Sequence, residues 1–129
     1  KKAVVKTLNS VFLQNDNNKK FNIIPLPKNA QASPVNGMAV VDVDKDGNKD
    51  ILMAGNFYPL RVSLGPIDAG IGLVLKGNGK GNFTALMMNE TGLNLAGDVR
   101  NLIPIKGVHH SLFAVAKNND KLQVIQLKH

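Results

Sequence analysis

Short apolar runs separated by polar turns recur along the whole chain. Runs such as residues 50–55 (DILMAG) and 111–116 (SLFAVA) are brief and are bounded by Gly, Asn, Asp or Lys. Runs of about four to eight residues favour β-strands, because a helix needs 10 or more residues of 3.6-residue periodicity. The pattern predicts an all-β chain with strands near 3–7, 9–14, 20–25, 37–42, 50–55, 71–76, 82–88, 98–105, 111–116 and 121–127.

The chain also repeats itself at an offset of about 62 positions. The offset carries Leu13 onto Leu75 and Phe21 onto Phe83, and each pair flanks an Asn/Gly/Lys-rich turn typical of a β-hairpin. Farther along, residues 50–56 fall on residues 111–117 at an offset of 61. Each unit then holds four strands, which is typical of β-propeller blades. We expect one domain over residues 1–129, with blade-like units at about 9–70 and 71–127.

One segment, DVDKDGNKD at positions 42–50, holds four of the nine acidic residues of the chain. Alternating carboxylates repel one another unless a cation lies between them, and Ca²⁺ takes about 6–8 oxygen ligands in tolerant geometry. An EF-hand is excluded, because Met53 stands where that motif needs Glu and because strands flank the segment. The alternative is a solvated Asp/Gly turn between two strands. The second unit has no such segment, so the sequence predicts one calcium site.

The alternation of aspartates in residues 42–50 identifies the candidate calcium ligands. Gly47 permits the left-handed turn that the loop needs. Four side chains and one backbone carbonyl, that of Asn48, form the predicted set: Asp42, Asp44, Asp46, Asn48 and Asp50. The adjacent His109 and His110 are interpreted as part of an exposed turn, because neighbouring residues on an extended chain point in opposite directions.

Composition narrows the function classes. The chain has no cysteine, which excludes disulfides, zinc–thiolate sites and cysteine nucleophiles. Its 16 basic and 9 acidic residues leave a net charge of +7, which raises nucleic-acid binding as an alternative function. The basic residues are scattered, however, and aromatic residues are few, so the charge is also that of an ordinary solvated surface. No apolar run approaches the ~20 residues of a membrane helix.

The segment 56–70 between two predicted strands is long for a turn. Loops of about 12–15 residues or more are often functional, and this one holds side chains suited to a binding surface: Tyr58, Arg61 and Asp68. The alternative is a loop that packs on the protein, with Arg61 and Asp68 forming an ion pair. No Ser–His–Asp pattern or close acid pair indicates catalysis, so we expect no enzyme.

The order of these motifs resembles the FG-GAP/VCBS repeat family, whose members are the blades of integrin-α-type seven-bladed β-propellers. The resemblance is carried by the acidic loop at 42–52 and by the LVLKGNGKGNF hairpin at 73–83. It implies that the loop joins two strands of a blade and binds Ca²⁺ through Asp42, Asp44, Asp46, the backbone of Asn48, and Asp50.

The resemblance further implies a non-catalytic binding or scaffold module of an exported bacterial protein, secreted or in the cell envelope. Its partners would be proteins or glycans, and a carbohydrate-binding or carbohydrate-active surface is the alternative. The chain has material for about two blades, so we expect it to belong to a longer chain or to self-associate.

Overall fold

Strands and turns make up almost all of the computed structural model, which describes residues 2–17, 20–106 and 111–127. The strands are β1 (Val11–Asn15), β2 (Phe21–Pro25), β3 (Val35–Val41), β4 (Asp50–Gly55), β5 (Leu73–Gly77), β6 (Phe83–Leu86), β7 (Val99–Lys106), β8 (Ser111–Lys117) and β9 (Gln123–Gln126). Two short helical segments accompany them, a 3₁₀ turn (Lys28–Gln31) and the four-residue helix α1 (Met88–Thr91). The predicted all-β class is confirmed.

The predicted strand at 3–7 is wrong. Residues 3–7 pair with no other segment of the described chain, and Val4 and Val5 stay exposed. Local preference for extended backbone is not enough to make a strand, because its N–H and C=O groups need a partner strand.

The strands form three antiparallel sheets. Sheet I pairs β1 with β2, sheet II has the order β3-β4-β5-β6, and sheet III has the order β7-β8-β9. Sheet II crosses the expected unit boundary at residue 70, because β4 pairs with β5 across the long 56–72 connection. The strands therefore lie close to where they were predicted, but they group as two, four and three rather than as two sets of four.

The hydrogen-bond register reproduces the sequence repeat. In sheet I, Asn15 pairs with Phe21, and the same position of sheet II pairs Gly77 with Phe83, 62 residues later in both strands. The β1–β2 hairpin is thus the equivalent of the β5–β6 hairpin.

Sheets II and III begin alike. The register of β3 against β4 shifts between Val35 and Gly37, and that of β7 against β8 shifts between Val99 and Asn101. Aligning these two irregularities places Met53 on Val115, so β4 matches β8 at an offset of 62, not the 61 that the sequence comparison used. Sheet I thus holds the last two strands of a four-strand pattern, and sheet III holds the first three.

The sheets stack front to rear. We call the face of each sheet nearer the next sheet in the chain its front face. The front face of sheet II, with Leu52 and Val74, packs on the rear face of sheet III, where Phe113 and Val115 are buried. Each fully buried Leu, Val or Phe contributes roughly 1.5–3 kcal/mol, so this interface dominates the core.

The rear face of sheet II is covered differently. Its buried residues Ile51, Met53 and Leu75 pack with Ala30 of the 3₁₀ turn. The ring of Phe12, on the front face of sheet I, meets the ring of Phe83 edge-on at a centroid distance of 5.4 Å. Sheet I therefore also presents its front face to the rear of the next sheet.

Gly37 sets the distance between sheets II and III. A Cβ atom at this position would lie 2.8 Å from the backbone nitrogen of Leu102 and 2.9 Å from its Cβ. Glycine therefore permits the close approach of β3 and β7, which are the first strands of their sheets.

Candidate metal centre

The acidic loop between β3 and β4 is ordered by its own carboxylates. Oδ2 of Asp42 accepts a hydrogen bond from the amide of Gly47 at 3.0 Å, and Oδ1 of Asp46 accepts one from the amide of Asn48 at 2.8 Å. Gly47 has φ +86°, and Lys45 also lies in the left-handed region at φ 63°. The predicted left-handed turn at Gly47 is confirmed, and the loop backbone curls around its acidic side chains.

Asp50 ties this loop to sheet II. Its side chain is buried, with 1% of the residue exposed, and Oδ2 accepts a hydrogen bond from the amide of Val43 at 2.7 Å. Oδ1 accepts one from the amide of Gly77 at 2.8 Å. The carboxylate thus joins the start of the loop, the start of β4 and the end of β5.

Three carboxylates converge in the loop. Asp42, Asp44 and Asp50 each offer one oxygen, and these oxygens lie within 4.8 Å of one another. Oxygens that share a Ca²⁺ ion at about 2.3–2.6 Å stand up to about 5 Å apart, so the spacing suits a hard cation. Oδ1 of Asp42 is buried and has no hydrogen-bond partner among the described residues, which leaves a buried acceptor for such a cation.

Lys76 already brings a positive charge to the loop from β5. Its ammonium group contacts Oδ2 of Asp44 and lies 3.3 Å from Oδ2 of Asp46. The hydrogen bond to Asp44 is the main cause that raises the pKa of Lys76 above its ordinary value. The pKa of Asp46 is lowered, chiefly because its carboxylate accepts the hydrogen bond from the amide of Asn48.

The structure therefore divides the predicted ligand set. Asp42, Asp44 and Asp50 are brought together. Asp46 lies outside this group and, like Asp44, pairs with Lys76, while the carbonyl of Asn48 stays a predicted ligand. Lys76 was not anticipated from the sequence, because its contact with the loop spans 32 residues.

The segment 56–70 is fixed at its base and exposed at its tip. Phe57 and Ile67 exchange two backbone hydrogen bonds of 2.9 Å, while Tyr58 is 42% exposed and Arg61 and Asp68 are exposed. No ion pair joins Arg61 to Asp68 in the described part of the chain, so that alternative is not observed. The three side chains remain accessible.

Asn56 holds the base of this segment. Its Nδ2 donates to the carbonyl oxygens of Gly70 (2.7 Å) and Gly97 (3.0 Å), and its Oδ1 accepts from the amide of Gly70 (2.9 Å). Asn36 adds hydrogen bonds from Nδ2 to the carbonyls of Asn56 (2.9 Å) and Val99 (3.0 Å). Two asparagine side chains thereby tie sheet II to the start of sheet III.

A buried carboxylate outside the acidic loop was missed by sequence reasoning. Asp98 is 2% exposed; its Oδ2 accepts hydrogen bonds from Arg100 (2.7 Å) and Asn118 (3.2 Å), and its Oδ1 has no partner among the described residues. The repeat contained only part of the signal: the offset of 62 carries Asn56 onto Asn118, and the amide of Asn118 donates to the carbonyl of Asp98 (2.8 Å) as that of Asn56 donates to the carbonyl of Pro34 (3.1 Å). The bonds of Asp98 to Arg100 and Asn118 join the start of β7 to the residue after β8, which identifies Asp98 as a structural tie.

Two crevices open on the described surface. One, of about 240 Å³, lies between the 3₁₀ turn and β5 and has no titratable side chain in its lining. The other, of about 880 Å³, lies between sheets II and III beside Asp44. At its rim, the Glu90 side chain accepts a hydrogen bond from the Met87 amide at 2.7 Å and caps the start of α1, and the Thr91 hydroxyl donates to the Met87 carbonyl at 3.2 Å.

Nothing in the described ranges is a helix of membrane-spanning length and apolarity. His109 and His110, interpreted above as part of a turn, lie outside the described residues. Comparison of the chain with protein-family models, with curated proteins and with solved structures found no match in any of the three.

Proposed function

We propose that this chain is a calcium-stabilised β-repeat module of the FG-GAP/VCBS type, with a non-catalytic binding or scaffold role. The observation that carries the proposal is the convergence of oxygens from Asp42, Asp44 and Asp50, with a buried, unpaired Oδ1 on Asp42. A buried acceptor without a partner is unfavourable by about 1–3 kcal/mol, and a bound cation would remove that penalty.

The placement of Asp50 explains what calcium would do for the fold. Asp50 already links the loop to β4 and β5 through two backbone amides. A cation shared by Asp42, Asp44 and Asp50 would extend that link to the whole loop. Because the ion would bind the folded loop and not the unfolded chain, it would stabilise the protein by mass action, by about 2.7 kcal/mol at 100 times Kd.

Lys76 favours a weak site. The ammonium group contacts Asp44, so a bound cation would compete with it for that carboxylate. Competition of this kind lowers affinity toward the range of extracellular calcium modules, about 10⁻⁴–10⁻³ M. Such a site would be filled outside cells, where calcium is abundant, which supports a role in a secreted or cell-envelope protein.

The arrangement of the sheets supports a repeat scaffold. Sheets with the same register pattern stack front to rear, as successive blades of a propeller do. The exposed tip carrying Tyr58, Arg61 and Asp68 is the surface we propose for recognition of a protein or glycan partner. Its fixed base would present these side chains at low conformational cost.

The test is the dependence of the thermal midpoint on divalent cations. We expect millimolar Ca²⁺ to raise the midpoint after removal of bound metal with a chelator, and an equal concentration of Mg²⁺ to raise it less, because Mg²⁺ demands near-octahedral geometry. Asp42→Asn should abolish the rise, and Asp68→Asn, a matched change on the exposed loop, should leave it intact. A midpoint of the wild-type protein that does not respond to Ca²⁺ contradicts the proposal.

A further inference from the structure

The chain contains two Asn-Gly dipeptides, Asn36-Gly37 and Asn78-Gly79. In such a pair the backbone nitrogen of the glycine can attack the side-chain Cγ of the asparagine, because glycine has no side chain to hinder the approach or to restrict the backbone. The structure places the two pairs in opposite environments. Each pair therefore serves as a comparison for the other within one molecule.

Asn78 and Gly79 lie in the turn between β5 and β6, and both residues are exposed. The amide of Asn78 donates to the carbonyl of Asn82 at 3.1 Å and closes the turn. Oδ1 of Asn78 accepts hydrogen bonds from the amides of Lys80 at 2.9 Å and Asn82 at 3.1 Å. The amide of Gly79 donates to no backbone carbonyl in the described part of the chain, so no bond of that kind holds its nitrogen back.

We propose that Asn78 is a site of spontaneous deamidation through a cyclic succinimide, and that the turn assists the reaction. The nitrogen of Gly79 loses its proton and forms a bond to Cγ of Asn78, and the side-chain nitrogen takes up a proton and leaves as ammonia. Negative charge develops on Oδ1 in the tetrahedral intermediate, where the amides of Lys80 and Asn82 already donate. Donors aimed at such an oxygen stabilise the transition state, as in an oxyanion hole.

Water then opens the succinimide ring in one of two ways. Hydrolysis of the bond between Cγ and the Gly79 nitrogen yields aspartate. Hydrolysis of the bond between the Asn78 carbonyl carbon and the same nitrogen yields isoaspartate, in which the main chain runs through Cγ. Either product replaces a neutral amide with a carboxylate and lowers the net charge of +7 by one. Water is the only co-reactant, so the inference does not depend on the proposed calcium site.

The reaction would alter the surface beside the acidic loop. A Cβ atom on Gly79 would lie 2.5 Å from Oδ1 of Asn48, so the turn contacts the loop that joins β3 to β4. Isoaspartate adds one carbon atom to the main chain directly before this contact. The contact between the turn and the acidic loop must therefore adjust in the isoaspartate form.

Asn36 is held in a way that opposes the same reaction. Its Nδ2, the nitrogen that would leave, donates to the carbonyl oxygens of Asn56 at 2.9 Å and Val99 at 3.0 Å. Gly37 is buried in β3 with the backbone of Leu102 against it. Ring closure at Asn36 would break both hydrogen bonds and distort a packed strand, so we expect this pair to be protected.

Peptide mapping of aged wild-type protein tests the proposal. The protein is incubated at neutral pH in chelator, either folded or unfolded in guanidinium chloride, and chymotryptic peptides are analysed by tandem mass spectrometry that distinguishes aspartate from isoaspartate. The unfolded chain gives the intrinsic rate of each Asn-Gly pair. We expect Asn78 to react at least as fast in the folded protein as in the unfolded chain. Asn36 should react at least about tenfold more slowly when folded, because its two hydrogen bonds must break.

Asn89 is the matched control for exposure, because it is also exposed but precedes Glu90 rather than glycine. It should stay intact over the same period. Asn78→Gln lengthens the side chain, disfavours closure of the ring and should remove the acidic species that ageing produces on cation exchange; its thermal midpoint checks the fold. Slower reaction of Asn78 in the folded protein than in the unfolded chain overturns the proposal, as do equal folded rates for Asn36 and Asn78 or a product without isoaspartate.

Discussion

The carboxylate of Asp50 accepts a hydrogen bond of 2.8 Å from the amide of Gly77, which joins the first residue of β4 to the last residue of β5. The two residues are 27 positions apart, and Asp50 is buried. The loop that bears the candidate ligands is therefore anchored to sheet II by a charge-assisted bond that solvent does not weaken.

Replacing Asp50 by Asn tests this anchor. The amide group puts a donor where the native carboxylate accepts from Val43 or Gly77, so one backbone N–H loses its partner in a buried place. We expect the free energy of unfolding to fall by about 2–3 kcal/mol, as measured by urea denaturation in chelator. Asp46→Asn, on the exposed side of the same loop, should change the free energy of unfolding far less. Equal losses for the two variants would refute a special role for Asp50.

Lys76→Met should increase the affinity for Ca²⁺. The ammonium of Lys76 and a bound cation compete for the carboxylate of Asp44, so removing the ammonium removes the competitor. Because the pair is solvent-exposed, we expect a modest gain of about threefold to tenfold in affinity by calorimetry. Lys80→Met removes the same charge from the neighbouring hairpin and controls for long-range electrostatics. Similar gains in both variants would mean that net charge, and not displacement of Lys76, governs affinity.

The pH dependence of stability should reflect the same ion pairs. The pKa of Asp46 is lowered, so its stabilising contribution is present above its unfolded value of 3.8 and is lost as pH falls through the folded pKa. The pKa of Lys76 is raised, so its contribution is present below its unfolded value of 10.5 and is lost as pH rises through the folded pKa. Thermal midpoints in chelator should therefore drop at both extremes, and Lys76→Met should flatten the alkaline limb. An unchanged alkaline limb in that variant would argue against the assignment.

Asn56 is required both for its side-chain hydrogen bonds and for its positive φ, and two variants can separate these contributions. Its side chain makes three hydrogen bonds, and its backbone lies at φ 87°, where most residues are strained. Asn56→Ala should lower the free energy of unfolding by about 3 kcal/mol, because it loses the bonds and keeps the strain. Asn56→Gly should lose about 1 kcal/mol less, because glycine adopts this φ freely. Chemical denaturation of the two variants gives the order, and a glycine variant less stable than the alanine variant contradicts it.

Local pattern predicted the strands well because apolar runs and turn residues act within a few positions. The β1–β2 and β5–β6 hairpins are cases in which one Asn/Gly/Lys-rich turn specifies the pairing of its two flanking strands. The pairing of β4 with β5 was not predictable in this way, because 17 residues separate the two strands and no turn preference spans that distance. The expected grouping into two four-strand units failed at this junction.

The candidate site was also predicted only in its local features, and its tertiary contacts were not. Alternating aspartates indicated the loop, and Asp42, Asp44 and Asp50 do converge there. The placement of Lys76 among them depends on which strand lies beside the loop, and that is a tertiary property. Asn56 and Asp98 resemble turn residues in the sequence, and only the packing of sheet III on sheet II shows them buried.

The 56–70 segment has a base whose hydrogen bonds hold the fold and a tip whose sequence can vary. Asn56 and the Phe57–Ile67 pair close its base, while the residues between them, including Tyr58 and Val62, contact solvent. Substitutions or insertions at the tip leave the closing bonds in place, so the loop can diversify without weakening the sheets. Substitutions or a grafted peptide at the tip of this loop would therefore introduce a new binding specificity with little loss of stability.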